Sequence, residues 1–187
     1  MKVSVLLMIG LLTLISIVSQ GKERTWYDIR YKGIERQKYD FSCGIASLLT
    51  IIKYGYDQNH DEKRILLIFL DSLGDDEKEK TMRKGISLFH LSQIANSLGF
   101  NSYMRELKPE HLDLLDRPII VFLETPKFKH FAVFTGIRSD WIRLADPSRG
   151  VVIQHKDDFV GEWKGGLSLV LDLPTASVPK LVLPPVW

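Results

Sequence analysis

The most informative residue of this sequence is its single cysteine. Cys43 is the only thiol among 187 residues, and the N-terminus has the pattern of a secretion signal. Exported proteins generally use cysteines in pairs, as disulfides. Cys43 directly precedes an apolar helical pattern, and a helix N-terminus is where a thiol is most readily converted to its thiolate. The sequence therefore favours a nucleophilic role for this sulfur.

A thiol nucleophile needs a base and a residue that orients the base. His130 stands at the start of a predicted buried strand, and Asp146 follows another predicted strand. Both lie about eight residues from the midpoint, near residue 138, of the hairpin predicted at 136–140. We therefore expect the two side chains to lie close together, with Asp146 holding the His130 ring in the useful tautomer.

An oxyanion needs hydrogen-bond donors, and Gln37 lies six residues before Cys43. Its side-chain amide and the backbone N–H of Cys43 would supply two donors. Each residue also has a simpler interpretation when it is considered alone. A lone Cys is often a small buried hydrophobe, an isolated His is often structural, and Asp before Pro is usually a turn former. Only the joint arrangement favours catalysis.

Composition argues against several other classes of function. Net charge is +2 with Lys and Arg spread along the chain, so no basic stripe for a nucleic acid is expected. The five histidines show no metal-ligand spacing, and one Cys cannot build a structural zinc site. We therefore expect neither a metal nor a cofactor. The chain also lacks a phosphate-binding loop motif, so no ATP-binding domain is predicted in it.

The N-terminus has the composition of a signal peptide. Met1 and Lys2 precede an apolar stretch over 3–18, and Ser19 to Gly21 follow it. We expect residues 1–21 to be removed after Ser19 or Gly21, which would leave the protein periplasmic or extracellular. The alternative is an uncleaved membrane anchor, for which the stretch is slightly short. Membrane contact would then occur only through this segment.

The predicted elements run from helices to strands, which is typical of an α+β domain, here 22–173. Residues 22–36 are predicted as a lead-in with one short strand, 75–80 as a solvated loop, and the Pro-rich 174–187 as a tail. Three longer helices are predicted. The first covers 41–54, with Ser42 or Asp40 as its cap and Gly55 as its end. The second covers 59–74 and begins with an Asn59–Glu62 capping box, and the third covers 87–98. A short helix is predicted at 109–115, one or two helical turns within 157–163, and strands at 101–106, 118–123, 130–136, 141–145, 151–153 and 167–173.

Three segments resemble motifs of one enzyme family. The run from Gln37 to Leu48, which contains Cys43, is similar to the nucleophile motif of the bacteriocin-processing, double-glycine peptidases, family thirty-nine of the papain-like cysteine peptidases. The similarity covers about residues 34–173. The other matching segments are 129–133 with the His motif, 145–150 with the Asp motif, and 85–100 with the helix between the Cys and His motifs.

The resemblance implies a papain-like α+β fold with N-terminal helices packed on a C-terminal antiparallel sheet. Cys43 would begin the central helix, His130 and Asp146 would come from the sheet, and Gln37 would serve the oxyanion. Family members often form the cytoplasmic part of an ABC transporter and cut leader peptides after Gly-Gly. This chain differs in its export signal, in lacking transporter and ATP-binding motifs, and in having Ser42 where the family commonly has Asp.

The sequence thus predicts an exported, stand-alone thiol peptidase whose partner is a peptide or protein substrate. Two alternatives share the same scaffold. One is a thiol acyltransferase or amidase, which would form the same thioester but use a different acceptor. The other is a non-catalytic peptide-binding module that keeps the cleft without turnover.

Overall fold

The structure is a computed structural model that describes residues 24–172. The predicted signal segment 1–21 and the predicted tail 174–187 lie outside the described residues. The helices are α1 (Trp26–Arg30), α2 (Cys43–Tyr56), α3 (Glu62–Asp71), α4 (Asp75–Lys84), α5 (Leu88–Ser97), a 3₁₀ helix (Pro109–Leu114) and α6 (Lys156–Glu162). The strands are β1 (Asn101–Glu106), β2 (Ile119–Glu124), β3 (Lys129–Arg138), β4 (Trp141–Asp146), β5 (Gly150–His155) and β6 (Trp163–Asp172).

The six strands form one sheet in the order β1-β6-β2-β3-β4-β5. Every neighbouring pair is antiparallel. Four longer helices come before the sheet in the chain, and α2 packs against β3. The predicted α+β class, with N-terminal helices packed on a C-terminal antiparallel sheet, is confirmed.

Helix α2 is the central helix because its side chains are apolar almost all round, as expected for a buried helix. Its residues from Gly44 to Ile52 are all buried. At Gly44 a Cβ would lie 3.0 Å from the Leu91 side chain and 3.1 Å from that of Phe131. This close approach brings the start of α2, and hence Cys43, against α5 and β3.

Two apolar cores lie in this part of the chain. The larger joins α2, α3 and α5 to the sheet through residues such as Leu48, Leu91 and Val133. The smaller packs α6 and the 3₁₀ helix on the sheet, and Phe159 is fully buried there. Since the strands carry apolar side chains to both cores, the sheet is a rigid support for residues at its ends.

The short strand predicted within 22–36 is wrong in the described part of that range. Residues Trp26–Arg30 form helix α1 instead. Thr25 and Asp28 form a capping box: the Thr25 hydroxyl accepts from Asp28 N at 3.2 Å, and an Asp28 carboxylate oxygen accepts from Thr25 N at 2.9 Å. None of the α1 residues is buried, so no apolar periodicity marked the helix.

The solvated loop predicted at 75–80 is also wrong, because Asp75–Lys84 form helix α4. Only Thr81 of this helix is buried. Its stability is local, since three acidic residues occupy the first turn and two basic residues the last. Such charges favour a helix through its macrodipole, and the Lys80–Glu77 pair at 3.2 Å adds to it.

Several helix ends also differ from prediction. Helix α2 continues past Gly55 to Tyr56, and Asp57 takes the left-handed conformation that ends it. Helix α3 is capped by Asp61, whose carboxylate accepts from Arg64 N at 2.8 Å, and Asn59 takes no part. Ser42 precedes α2 but makes no side-chain cap.

Candidate active site

Cys43 is the first residue of α2 and is partly buried, with a free thiol. A tight turn over Tyr39–Ser42 delivers the chain to this position. The Ser42 hydroxyl donates to Tyr39 O at 2.9 Å and accepts from Tyr39 N at 3.2 Å, so both of these hydrogen bonds lie within the turn and neither caps the helix. The N–H groups of the first turn of α2 are therefore left without a side-chain cap, and they favour negative charge at Cys43.

His130 and Asp146 are in direct contact. The His130 Nε2 atom lies 2.9 Å from Asp146 Oδ1. Only 12% of the His130 side chain is exposed, and Asp146 is fully buried. The side chain of Cys43 is close enough to the His130 ring to raise the pKa of that ring. Because Asp146 occupies Nε2, Nδ1 is the ring nitrogen left for the sulfur.

The symmetric hairpin that we expected differs in detail. Arg138 pairs with Trp141, so the turn is centred between residues 139 and 140, not near 138. A bulge between Phe134 and Gly136 then shifts the register, and Val133 pairs with Ala145. His130 and Asp146 are therefore offset along the two strands, and their contact is diagonal.

The Asp146 carboxylate receives more donors than the sequence indicated. Oδ1 accepts from Ser148 N and Ser148 Oγ, both at 2.8 Å, and from Arg149 N at 3.0 Å. Oδ2 accepts from Arg149 Nε at 2.7 Å. Burial alone would raise the pKa of Asp146, but the bonds and charges of His130 and Arg149 hold that pKa well below its ordinary value. Asp146 is thus a permanent, fixed anion.

The same contacts determine the charge of His130. Burial alone would lower its pKa, but the hydrogen bond to Asp146, the proximity of Cys43 and the charges of both residues outweigh burial and raise the pKa to about 9. At neutral pH the ring is therefore an imidazolium. An imidazolium beside a sulfur favours the thiolate, which is the nucleophilic form.

Gln37 lies against the turn that precedes α2. Its Nε2 donates to Tyr39 O at 3.3 Å, and its backbone N–H donates to Pro147 O at 3.1 Å. The Gln37 Oε1 atom is buried without a hydrogen-bond partner among the described residues. Since an amide nitrogen carries two hydrogens, one remains for a ligand.

An open cleft of about 800 Å³ begins at Cys43. Helix α4 and the segment after it form one wall, which sequence reasoning missed when it interpreted 75–80 as a loop. Its apolar lining includes Phe41, Met82, Ile86, Phe89, Phe122 and Phe131. Four cations, Lys80, Arg83, Lys84 and Lys129, also line it. Such a cleft can take an extended, largely apolar chain.

Two other residues of the site, Ser148 and Arg149, were missed as well. Both lie within the Asp motif at 145–150, but nothing in their residue types distinguished them from an ordinary turn. Across 24–172, no group of three or more His, Cys, Asp or Glu side chains could hold a metal ion. Over the same residues, no helix combines the length and apolarity needed to cross a membrane.

Comparison with known proteins decides the family. Residues 31–174 match the sequence model of the Peptidase C39 family. The chain belongs to this family. The predicted family is therefore confirmed, and the predicted enzyme class, a cysteine peptidase, is confirmed at the level of the family.

Several curated proteins are similar to this C39 family member. "Probable functional amyloid protease FapD" of Pseudomonas fluorescens is 29% identical over 142 residues, 76% of this chain and 62% of the relative. The Pseudomonas aeruginosa protein of the same name is 27% identical over 136 residues, 73% of this chain and 59% of the relative. "Transport/processing ATP-binding protein ComA" of Streptococcus pneumoniae is 31% identical over 131 residues, 66% of this chain and 16% of the relative. The chain thus spans about three fifths of the length of the two Pseudomonas proteins.

Solved structures show the same fold. The peptidase domain of Streptococcus ComA, described as a bi-functional ABC transporter in a quorum sensing pathway, superposes with a TM-score of 0.63 at 22% identity, covering 75% of this chain and 97% of that domain. A double glycine motif protease from an AMS/PCAT transporter, solved with its leader peptide, gives a TM-score of 0.59 at 21% identity, covering 74% and 89%. The predicted fold, that of the peptidase domains of this family, is confirmed.

Proposed function

We propose that this protein is an exported thiol peptidase that hydrolyses peptide bonds with Cys43, His130, Asp146 and Gln37. One observation carries the proposal: a single, largely buried ring, that of His130, is hydrogen-bonded to Asp146 and is also close enough to Cys43 for that side chain to raise the pKa of the ring. Nucleophile, base and orienting carboxylate are thus in series, which is the arrangement that thiol catalysis requires.

Acylation follows from this arrangement. The Cys43 thiolate attacks the carbonyl carbon of the peptide bond, and the carbonyl oxygen becomes an oxyanion. The Cys43 backbone N–H and the free N–H of the Gln37 amide donate to that oxygen. The tetrahedral intermediate collapses as the C–N bond breaks, and the His130 imidazolium gives its proton to the leaving amine. The first product leaves, and the acyl group stays on sulfur as a thioester.

Deacylation uses the same groups in reverse. Neutral His130 takes a proton from water, and the resulting hydroxide attacks the thioester carbonyl. The C–S bond breaks, the carboxylic acid leaves, and the thiolate–imidazolium pair is restored. Asp146 keeps its charge throughout and stabilises the imidazolium each time it forms. Its four additional hydrogen bonds keep the carboxylate in place while His130 changes charge.

The cleft supports a peptide as the substrate. Its lining includes Cys43, and its volume of about 800 Å³ can take several side chains of an extended segment. Two relatives support the same class, since one was solved with a leader peptide and another is named as a functional amyloid protease. The apolar stretch near the N-terminus supports export, so the substrate would belong to the exported proteins of the same cell.

Substrate trapping tests the proposal. The Cys43→Ala variant is mixed with the exported proteins of the host, and bound polypeptides are identified by mass spectrometry. Each is then incubated with the wild-type protein and, in parallel, with Cys43→Ala. We expect cleavage by the wild type alone, with a new carboxyl terminus at one site. Equal turnover by both proteins, or binding without cleavage by either, would contradict a thiol peptidase.

The acyl-transfer alternative is decided in the same assay. A primary amine is added over a series of concentrations from low to high, and the mass of the new terminus is measured at each. We expect the free acid as the main product. Quantitative capture of the acyl group by the amine at low concentration would indicate a transferase instead.

A further inference from the structure

The segment that precedes the turn before α2 is hydrogen-bonded to a second turn, the one that contains Asp146. We define the N-terminal strap as residues 30–37 and the acid turn as residues 146–150. Three consecutive carbonyl groups of the acid turn each accept a hydrogen bond from the strap. The bonds run from Gln37 N to Pro147 O (3.1 Å), from Tyr31 Oη to Ser148 O (2.5 Å) and from Arg30 Nε to Arg149 O.

Two backbone N–H groups of the acid turn donate hydrogen bonds to the Asp146 carboxylate. Ser148 N and Arg149 N both donate to Oδ1, and the Arg149 side chain donates to Oδ2. The N–H groups of the turn therefore point to the carboxylate, while its carbonyl groups point to the strap. The turn and its carboxylate are consequently fixed from two opposite sides.

Gly150 makes the contact a close one. It has φ +80°, and a Cβ on it would lie 2.5 Å from both Cγ and the carbonyl oxygen of Arg30. No larger residue fits there without displacing the backbone of the strap. The strap and the acid turn are thus packed main chain to main chain.

We propose that the N-terminal strap is a positioning element of the active site, and that Arg30 and Tyr31 are positioning residues. They hold the acid turn so that Asp146 meets His130. The inference rests on the proposed function. The inference adds residues that contact neither the sulfur nor the substrate to the proposed active site. One of them, Arg30, lies outside the segment 31–174 that matches the family.

The C-terminal end of the strap also contacts the acid turn. Gln37, the proposed oxyanion donor, ends the strap, and its backbone N–H binds the acid turn at Pro147. The orienting carboxylate and the oxyanion donor are therefore held by one continuous segment. The charged groups that face His130 are Asp146 and Cys43. Any displacement of the acid turn changes the first of these contacts.

Alkylation of the single thiol tests the inference without a substrate. The rate of modification of Cys43 by iodoacetamide is measured by intact mass at pH 6 and pH 10. At pH 10 an ordinary thiol is ionised, whereas at pH 6 reactivity depends on the ion pair with His130. The ratio of the two rates therefore reports the ion pair and is insensitive to access.

The variants are Tyr31→Phe, which removes one oxygen, Arg30→Met, which keeps the methylene chain, and the double variant. Each single change removes one hydrogen bond to the acid turn, and Arg30→Met also removes the guanidinium that lies over the Trp26 ring. For each we expect the pH 6 to pH 10 rate ratio to fall about 3- to 10-fold. The double variant should fall further. Tyr27→Phe and Arg24→Met are the matched controls, because neither parent side chain makes a hydrogen bond among the described residues, and both should keep the wild-type ratio.

The outcomes separate the two proposals. A wild-type ratio that is high, is lost in His130→Ala and falls in the strap variants supports both. A high ratio that is lost in His130→Ala but unchanged in both strap variants, even if their melting temperatures fall, overturns the strap inference alone. A wild-type ratio equal to that of His130→Ala overturns the proposed function. Tyr31→Phe leaves all packing carbon atoms in place, so a folding defect of the double variant leaves a usable result.

Discussion

Replacing Asp146 by Asn separates the charge of this residue from its shape. The amide can keep an oxygen at the Oδ1 position, where His130 Nε2 and the backbone N–H groups of Ser148 and Arg149 require an acceptor. The other position then carries an NH₂ group that faces Arg149 Nε, a donor opposite a donor. The acceptor for His130 is kept, while the negative charge and the hydrogen bond from Arg149 Nε are lost.

The size of the effect follows from what holds the charge on His130. Its pKa is about 9 instead of 6.5 because the contacts with Asp146 and Cys43 outweigh burial. Without the Asp146 charge, burial acts against a weaker set of contacts. We expect the pKa of His130 to fall from about 9 toward 6.5, a change of up to ~3 kcal/mol in the preference for imidazolium.

The assay is a pH titration of the histidine rings by ¹H–¹⁵N NMR, with the His130 signals assigned by their loss in His130→Ala. The wild-type ring should lose its proton near pH 9, and the Asp146→Asn ring should lose it nearer to pH 6.5. The other histidine rings serve as internal references. A His130 titration that stays near pH 9 in Asp146→Asn would refute the argument that the carboxylate charge sets the state of the ring.

Three further outcomes are expected. Gln37→Ala should lower kcat about 10²- to 10³-fold with little change in KM, since an oxyanion donor acts mainly in the transition state; an unchanged kcat would exclude it as a donor. The free energy of unfolding in urea should be greatest between two pH limits. The stabilisation from His130 is complete below pH 6.5 and is lost as pH rises through about 9. The stabilisation from Asp146 is lost as pH falls below 3.8. A flat stability profile would contradict both. Gly166→Ala should destabilise by at least about 1–3 kcal/mol, because φ is +70° and a Cβ would lie 1.8 Å from a backbone carbonyl oxygen, while Gly161→Ala, which meets no atom within 4 Å, should not; equal melting temperatures would show that the Gly166 contact is not tight.

The elements predicted well from sequence are those with a strong apolar pattern. The central residues of helix α2 and of strands β2 and β3 are buried. In α2 the apolar residues recur at helical spacing, and in the two strands they form short continuous runs. The prediction of a loop in place of helix α4 was wrong for the opposite reason. Its only buried residue is Thr81, so its stability comes from charges at its ends, and a mixed charge run is equally typical of a loop.

The contact between His130 and Asp146 was within reach of sequence reasoning because a hairpin is a local structure. The bulge between Phe134 and Gly136 was not, since neither residue signals a register shift. The strap was also beyond reach. Arg30 and Arg149 are 119 positions apart, and their contact depends on how α1 lies on the finished sheet. Long-range hydrogen bonds of this kind leave no pattern in one sequence.

The most direct test of the account is the identity of the residue that carries the acyl group during turnover. A thioester or ester of a peptide identified by trapping is mixed with the protein, quenched in acid, and mapped by mass spectrometry. We expect the acyl group on Cys43, formed at least tens of times more slowly in His130→Ala and absent in Cys43→Ala. Product release by Cys43→Ala at the wild-type rate, or an acyl group on any other residue, would contradict the central claim.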